Sequence, residues 1–161
     1  MVATTGRGHA MQPPERNAPQ KLADYLEVMT RAVFQAGMSW PVVEAKWPAF
    51  RELFREFDPI AVATLSADEL DAIAADPRII RNRRKVEATV HNAEALLSIE
   101  AEQGFREYLR SQGGFEGLCA DMRKRFKFLG DFGTYYFLYV VGEPVPSYAD
   151  WRAAHGRPPL A

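Results

Sequence analysis

Cysteine is almost absent: Cys119 alone among 161 residues excludes a disulfide framework and the common multi-cysteine zinc spacings. Such usage fits a reducing compartment, and a cytoplasmic location is expected. No apolar run approaches the roughly eighteen residues that span a bilayer, and the N-terminus lacks the apolar core of a signal peptide. No membrane partner is expected. Charge of one sign is missing as well, since 20 Lys and Arg face 21 Asp and Glu for a formal net charge of −1. The overall basic balance common among nucleic-acid-binding domains is therefore lacking.

What is present is the composition of one globular core. Hydrophobic residues make up 47% and charged residues 25%, and ten Phe, six Tyr and three Trp supply large apolar surfaces. The cations are unevenly placed: two windows, 78–85 and 123–127, hold nine of the twenty Lys and Arg. Acidic residues spread mainly through 44–71 and 87–107. A basic face is expected in spite of the neutral sum.

Residues 1–20 carry Gly6, Gly8, Pro13, Pro14 and Pro19 without an apolar period, and read as a disordered tail. A helical domain is expected over 21–152, with a further tail at 153–161. Leu22, Tyr25, Leu26, Met29 and Val33 recur at helical spacing up to Gly37. Ser39 is placed to cap a second helix whose stripe runs from Val42 to Phe57. Asp58-Pro59 opens a short helix, and Ser66 with Glu69 has capping-box spacing for another ending near Asp76-Pro77. The longest helix is expected from about Arg83 to Gln103, followed by short pieces at 105–109 and 115–126. Residues 135–141 have the β-branched and aromatic content of a strand, yet their helical context favours a helix. The predicted fold class is all-α, a compact helical domain with a helix-hairpin-helix motif.

That motif is centred on Leu129-Gly130-Asp131-Phe132-Gly133-Thr134. A basic aromatic helix end, a Gly-x-x-Gly turn and an apolar run ending at Gly142 are in succession. Glycines let a phosphate approach the backbone, and the N–H groups opening the second helix suit an anion. A bare Gly-x-x-Gly is equally consistent with a helix cap and a loop. The flanking residues decide between the two.

Phe126-Lys127-Phe128-Leu129-Gly130 with Gly142, the block Gln35-Ala36-Gly37-Met38-Ser39-Trp40, and Ile79 to Lys85 running on to Asn92-Ala93 together resemble the bacterial DNA-3-methyladenine glycosylase I family. This family lies within the helix-hairpin-helix glycosylase superfamily. Phe57-Asp58-Pro59 adds a fourth match, and the resemblance spans about residues 22–147. It implies removal of alkylated purines, chiefly 3-methyladenine, from double-stranded DNA by base flipping and glycosidic hydrolysis. The leaving base is already cationic, so an aromatic pocket can hold it by stacking and cation–π attraction without a strong general acid. Trp40 matches the family's pocket tryptophan, with a plain core role as its alternative; Gln35 heads the same block as a base-binding candidate, and Tyr25 is another nearby. Arg81, Arg83, Arg84, Lys85, Lys127, Gly130, Gly133 and Thr134 are expected on the DNA backbone. Asp150, eight residues past Gly142, is a catalytic candidate, with a surface or N-cap role as its alternative.

The chain departs from the family in two respects. The zinc clamp formed by terminal Cys and His residues is not matched, so neither zinc nor any other metal or cofactor is expected, and Trp151 with Pro144-Val145-Pro146 is expected to tie the end of the chain down. Ala32 stands where the family has its pocket glutamate. The expectation is a monomeric, zinc-free glycosylase; the alternatives are a non-catalytic module gripping damaged or distorted DNA and a helical protein-interaction domain.

Overall fold

The computed structural model describes residues 15–155, and among them every regular element is helical. The chain runs through α1 (Leu22–Gln35), α2 (Trp40–Leu53), a 3₁₀ turn (Arg55–Phe57), α3 (Pro59–Ala63), α4 (Ala67–Ala75) and α5 (Arg83–Glu102). It continues with α6 (Phe105–Leu109), α7 (Phe115–Arg125), α8 (Asp131–Val140) and α9 (Tyr148–Ala154). The all-α expectation holds, although α2 ends at Leu53, four residues short of the stripe read through Phe57.

Local chemistry explains where these helices start and stop. Asp24 accepts the backbone N–H groups of Gln20 and Lys21 at 2.7 and 3.1 Å and so fixes the entry to α1. Asp58 accepts from Ile60 N–H at 3.0 Å, and Ser66 and Glu69 form a reciprocal capping box. Ser39 occupies the cap position of α2 without a side-chain cap bond. Tyr135 to Val140 are helical because one wide face is buried: Tyr135, Phe137 and Leu138 are fully enclosed, and this packing outweighs a strand preference. Beyond them Gly142, at φ +88°, sends its N–H to Tyr139 O while Glu143 N–H reaches Leu138 O. That pair of bonds closes the helix and requires the left-handed conformation that glycine adopts without cost.

Helix α1 is central, packing on α2, α5 and α8. Its contact with α8 is close at Ala32, where a Cβ added to Gly133 would lie 3.9 Å from the alanine methyl. The 3₁₀ turn is left-handed at all three residues, Arg55, Glu56 and Phe57, with φ between 54° and 60°. Non-glycine residues adopt this region at a cost of about 1–2 kcal/mol each. Buried Phe57, stacked on Trp47 and Phe54, holds the turn in place.

Part of the expected tail is packed against the domain. Pro19 is buried, Asn17 N–H donates to Val140 O at 2.6 Å, and the Arg16 guanidinium lies 4.2 Å from the Tyr139 ring centroid. Residues 1–14 of that tail and 156–161 of the second one lie outside the described residues, while Ala153 and Ala154 continue α9. Trp151 stacks on Tyr135 with centroids 4.6 Å apart, and Tyr135 donates its hydroxyl to Pro146 O at 2.8 Å. The expected anchors of the chain end are therefore in contact with α8.

Candidate functional site

The connection between α7 and α8 is held from behind by α5. Asn92, buried on α5, accepts Lys127 N–H at 2.8 Å and donates to Lys127 O at 3.1 Å, and His91 Nε2 is 3.0 Å from Arg125 O. Phe128 then takes φ +61°, so the left-handed residue of the hairpin is an aromatic and not a glycine. Gly130, the N-cap of α8, has an ordinary φ of −82°, and a Cβ placed there would meet nothing within 4 Å. With no capping side chain, the first-turn N–H groups of α8 remain available to an anion.

The other two hairpin residues point elsewhere. A Cβ on Gly133 would sit 3.5 Å from Leu129 Cδ2 and 3.9 Å from the Ala32 methyl, ordinary contact distances, so this position faces α1 and not an approaching phosphate. Thr134 is fully buried and donates its hydroxyl to Gly130 O at 2.8 Å. Its expected place on a phosphate is corrected, because the hydroxyl is spent inside the helix.

The basic windows divide in the same way. Lys85 is 7% exposed, and its ammonium donates to Ala36 O at 2.8 Å and Phe34 O at 3.5 Å at the C-terminal end of α1. Burial holds that ammonium below the usual lysine value. The expectation of Lys85 on the DNA backbone is corrected: it is a cation serving the last carbonyls of a helix. Arg83 is paired with Asp71 and Glu87, Arg78 with Asp76 and Glu52, Arg123 with Asp131, and Arg125 with Asp121. Among the described residues, Arg81, Arg84, Lys124 and Lys127 are exposed and make no ion pair with a carboxylate. Arg84 lies 5.7 Å from the centroid of the Phe128 ring, which brings the first basic window to the hairpin.

A second group forms where α1, α2 and α8 converge. Trp40 opens α2, and its ring stacks with Phe132 at 5.9 Å and 29° and meets the edge of Tyr136 at 5.5 Å. Gln35 closes α1, is 4% exposed, and neighbours the Tyr136 phenol. Burial pushes that phenol up to about 12. Two polar atoms here are buried without a partner among the described residues, Gln35 Oε1 and Trp40 Nε1. Each such atom costs roughly 1–3 kcal/mol until something pairs with it, and both belong to residues of this group.

The sequence model of the methyladenine glycosylase family matches residues 18–119. A DNA-3-methyladenine glycosylase of Haemophilus influenzae is 40% identical over an alignment of 130 residues, with 67% of this chain and 70% of that protein covered. The chain belongs to the methyladenine glycosylase family. DNA-3-methyladenine glycosylase 1 of Escherichia coli is 29% identical over 130 residues, with the same shares of each chain. Among solved structures, a 3-methyladenine DNA glycosylase I superposes with a TM-score of 0.70 at 25% identity over 88% of this chain and 90% of that one. The Staphylococcus aureus enzyme, solved to explain how it recognises 3-methyladenine, gives 0.65 at 25% identity over 81% and 79%.

Within this methyladenine glycosylase fold the sequence-derived candidates fall into place unevenly. Trp40 and Gln35 share one group through Tyr136. Tyr25 does not join them: ten residues earlier on α1, about 15 Å along the axis, it packs on Phe105 and Phe137 and contacts Arg106. Asp150 is exposed in the first turn of α9, where its N–H is capped by Ser147 Oγ at 3.1 Å. The N-cap of α9 is Ser147, so Asp150 stands as a surface residue of the first turn, and nothing places its carboxylate among the Trp40 group. In the sequence the tyrosines of α8 stand, with Tyr25 and Glu27, among the residues near enough to replace missing pocket groups, whereas Phe132 as a ring partner of Trp40 and Asn92 as the clamp on Lys127 were passed over. The signal was present in the i, i+4 spacing of Phe132 and Tyr136 within an otherwise core-forming helix.

Proposed function

We propose that this protein is a base-excision repair DNA glycosylase that hydrolyses the N-glycosidic bond of alkylated purines such as 3-methyladenine after flipping the nucleotide out of double-stranded DNA. The observation that carries this reading is the pair of unpartnered buried atoms, Gln35 Oε1 and Trp40 Nε1, beside stacking faces in a member of the methyladenine glycosylase family. A flipped, alkylated purine is flat, carries positive charge and presents an amino group that an amide oxygen accepts. Because the alkylated base leaves as a neutral molecule, bond cleavage needs no strong general acid. The protein's work is to extrude the nucleotide, hold the base against Trp40 and keep the sugar where water reaches it. Grip on the backbone falls to the α8 N–H groups with Arg81, Arg84 and Lys127. The absence of a membrane-spanning helix among the described residues and the single cysteine agree with action in the cytoplasm, and we take the working unit to be a monomer.

Release of free 3-methyladenine from methylated duplex DNA tests the reading, with Trp40→Ala expected to abolish it. No release from a broad panel of damaged duplexes would overturn it. A second reading, a binding module without turnover, is favoured by Ala32 in place of the glutamate that the family resemblance implies. It predicts salt-sensitive binding to abasic or distorted DNA with no base release.

A further inference from the structure

Phe132 lies in the first turn of α8, on the helix whose N-terminus is offered to the DNA backbone, and it is partly exposed, as is Trp40. Gln35 and Tyr136, by contrast, are 4% and 5% exposed. The two flat rings of Trp40 and Phe132 therefore lie nearer the surface than the polar side chains of Gln35 and Tyr136. The Trp40 and Phe132 rings are near parallel at 29°, with centroids 5.9 Å apart. At 5.9 Å and 29° the two rings are in ordinary offset contact, so a base entering between them must move the Phe132 ring aside by a full ring thickness. Phe132 also meets Trp151 of α9, with centroids 5.7 Å apart.

We propose that Phe132 is the second stacking wall of the base site, occupying the face of Trp40 until an extruded purine enters between the two rings with its amino edge on Gln35 Oε1. This rests on the glycosylase reading above and names a specificity-determining residue for it. The arrangement selects by shape and by aromatic faces, which suits a planar cationic purine at a site where position 32 supplies no carboxylate. It also links two tasks: Phe132 is two residues from Gly130, so seating a phosphate on α8 positions the ring that closes on the base.

The test uses the full chain and two readouts, equilibrium binding of free 3-methyladenine and single-turnover release from methylated duplex DNA. Phe132→Leu should weaken free-base binding and slow release by about tenfold to a hundredfold, the range seen when a base-stacking ring is removed, with undamaged-duplex affinity within twofold. Phe132→Tyr, which keeps the ring, should stay within about threefold in both. Wild-type behaviour of Phe132→Leu, or tighter base binding by it, would overturn the proposal, because the ring would then be a spectator or a plug. Loss of base binding in a folded Phe132→Tyr would overturn it as well. A wild-type protein that neither binds nor releases the base would instead defeat the glycosylase reading itself.

Discussion

The side-chain amide of Asn92 brackets the peptide of Lys127, accepting its N–H at 2.8 Å and donating to its carbonyl at 3.1 Å. One residue of the longest helix thus fixes the approach to the hairpin 35 positions later. Asn92→Ala removes both bonds. It should cost about 1–3 kcal/mol in urea unfolding and weaken duplex binding at constant salt. Unchanged unfolding would show that the connection is held by other means.

The division of the basic windows is measurable as a salt dependence. Each phosphate-neutralising cation contributes about 0.9 to the slope of log affinity against log salt. Arg84→Ala and Lys127→Ala should each reduce the magnitude of that slope by about this amount. Lys85→Ala should leave the slope alone and lower the melting temperature, because Ala36 O loses its donor inside the fold.

Two glycines of one motif are expected to behave oppositely. Gly133→Ala places its methyl at ordinary contact distance from Leu129 and Ala32, and should leave stability unchanged or raise it by up to about 1 kcal/mol with DNA affinity preserved. Gly130→Ala meets no protein atom, so the fold should tolerate it while the added methyl crowds an approaching phosphate. Duplex titrations of the two variants, with melting curves as controls, separate packing from contact.

Alkaline solution should unfold the protein in a defined window. Burial first of all pushes Tyr136 and Tyr135 up to about 12 from 10.0, and Cys119 up to about 11 from 9.0. A group that holds its proton more tightly when folded lends stability that is complete below its unfolded value and is lost as pH climbs through the folded one. The loss should therefore begin near pH 9–10 and deepen towards 12. Lys85, lowered by burial, acts in the opposite sense as pH rises towards 10.5 and offsets a part of it. Urea unfolding across this range should show the decline, and Tyr136→Phe should remove a share of about 2–3 kcal/mol at most.

Helix type and limits were legible because they follow from short-range rules. Asp58-Pro59, the Ser66 and Glu69 pair, and Gly142 announce their own backbone geometry. The left-handed turn at Arg55–Phe57 was not legible, since no glycine marks it and only the stacking of Phe57 on distant Trp47 holds it. A run such as Arg83-Arg84-Lys85 reads as a uniform charge patch, yet on a helix three successive residues face three ways. Arg83 meets Asp71, Arg84 meets Phe128, and Lys85 enters the core. Trp40 and Gln35 were found by resemblance, while their partners Phe132 and Tyr136, nearly a hundred residues on, depend on the packing of α8 against α1 and α2.

The close meeting of Ala32 and Gly133 also bears on redesign. A side chain of glutamate size at position 32 would have to enter the space that α8 fills, and would bring a buried charge with it. Installing it therefore calls for paired changes on both helices, since either alone leaves a clash or a void. Redesign of the site is in that sense more open at the aromatic residues around the two helices than at position 32 itself.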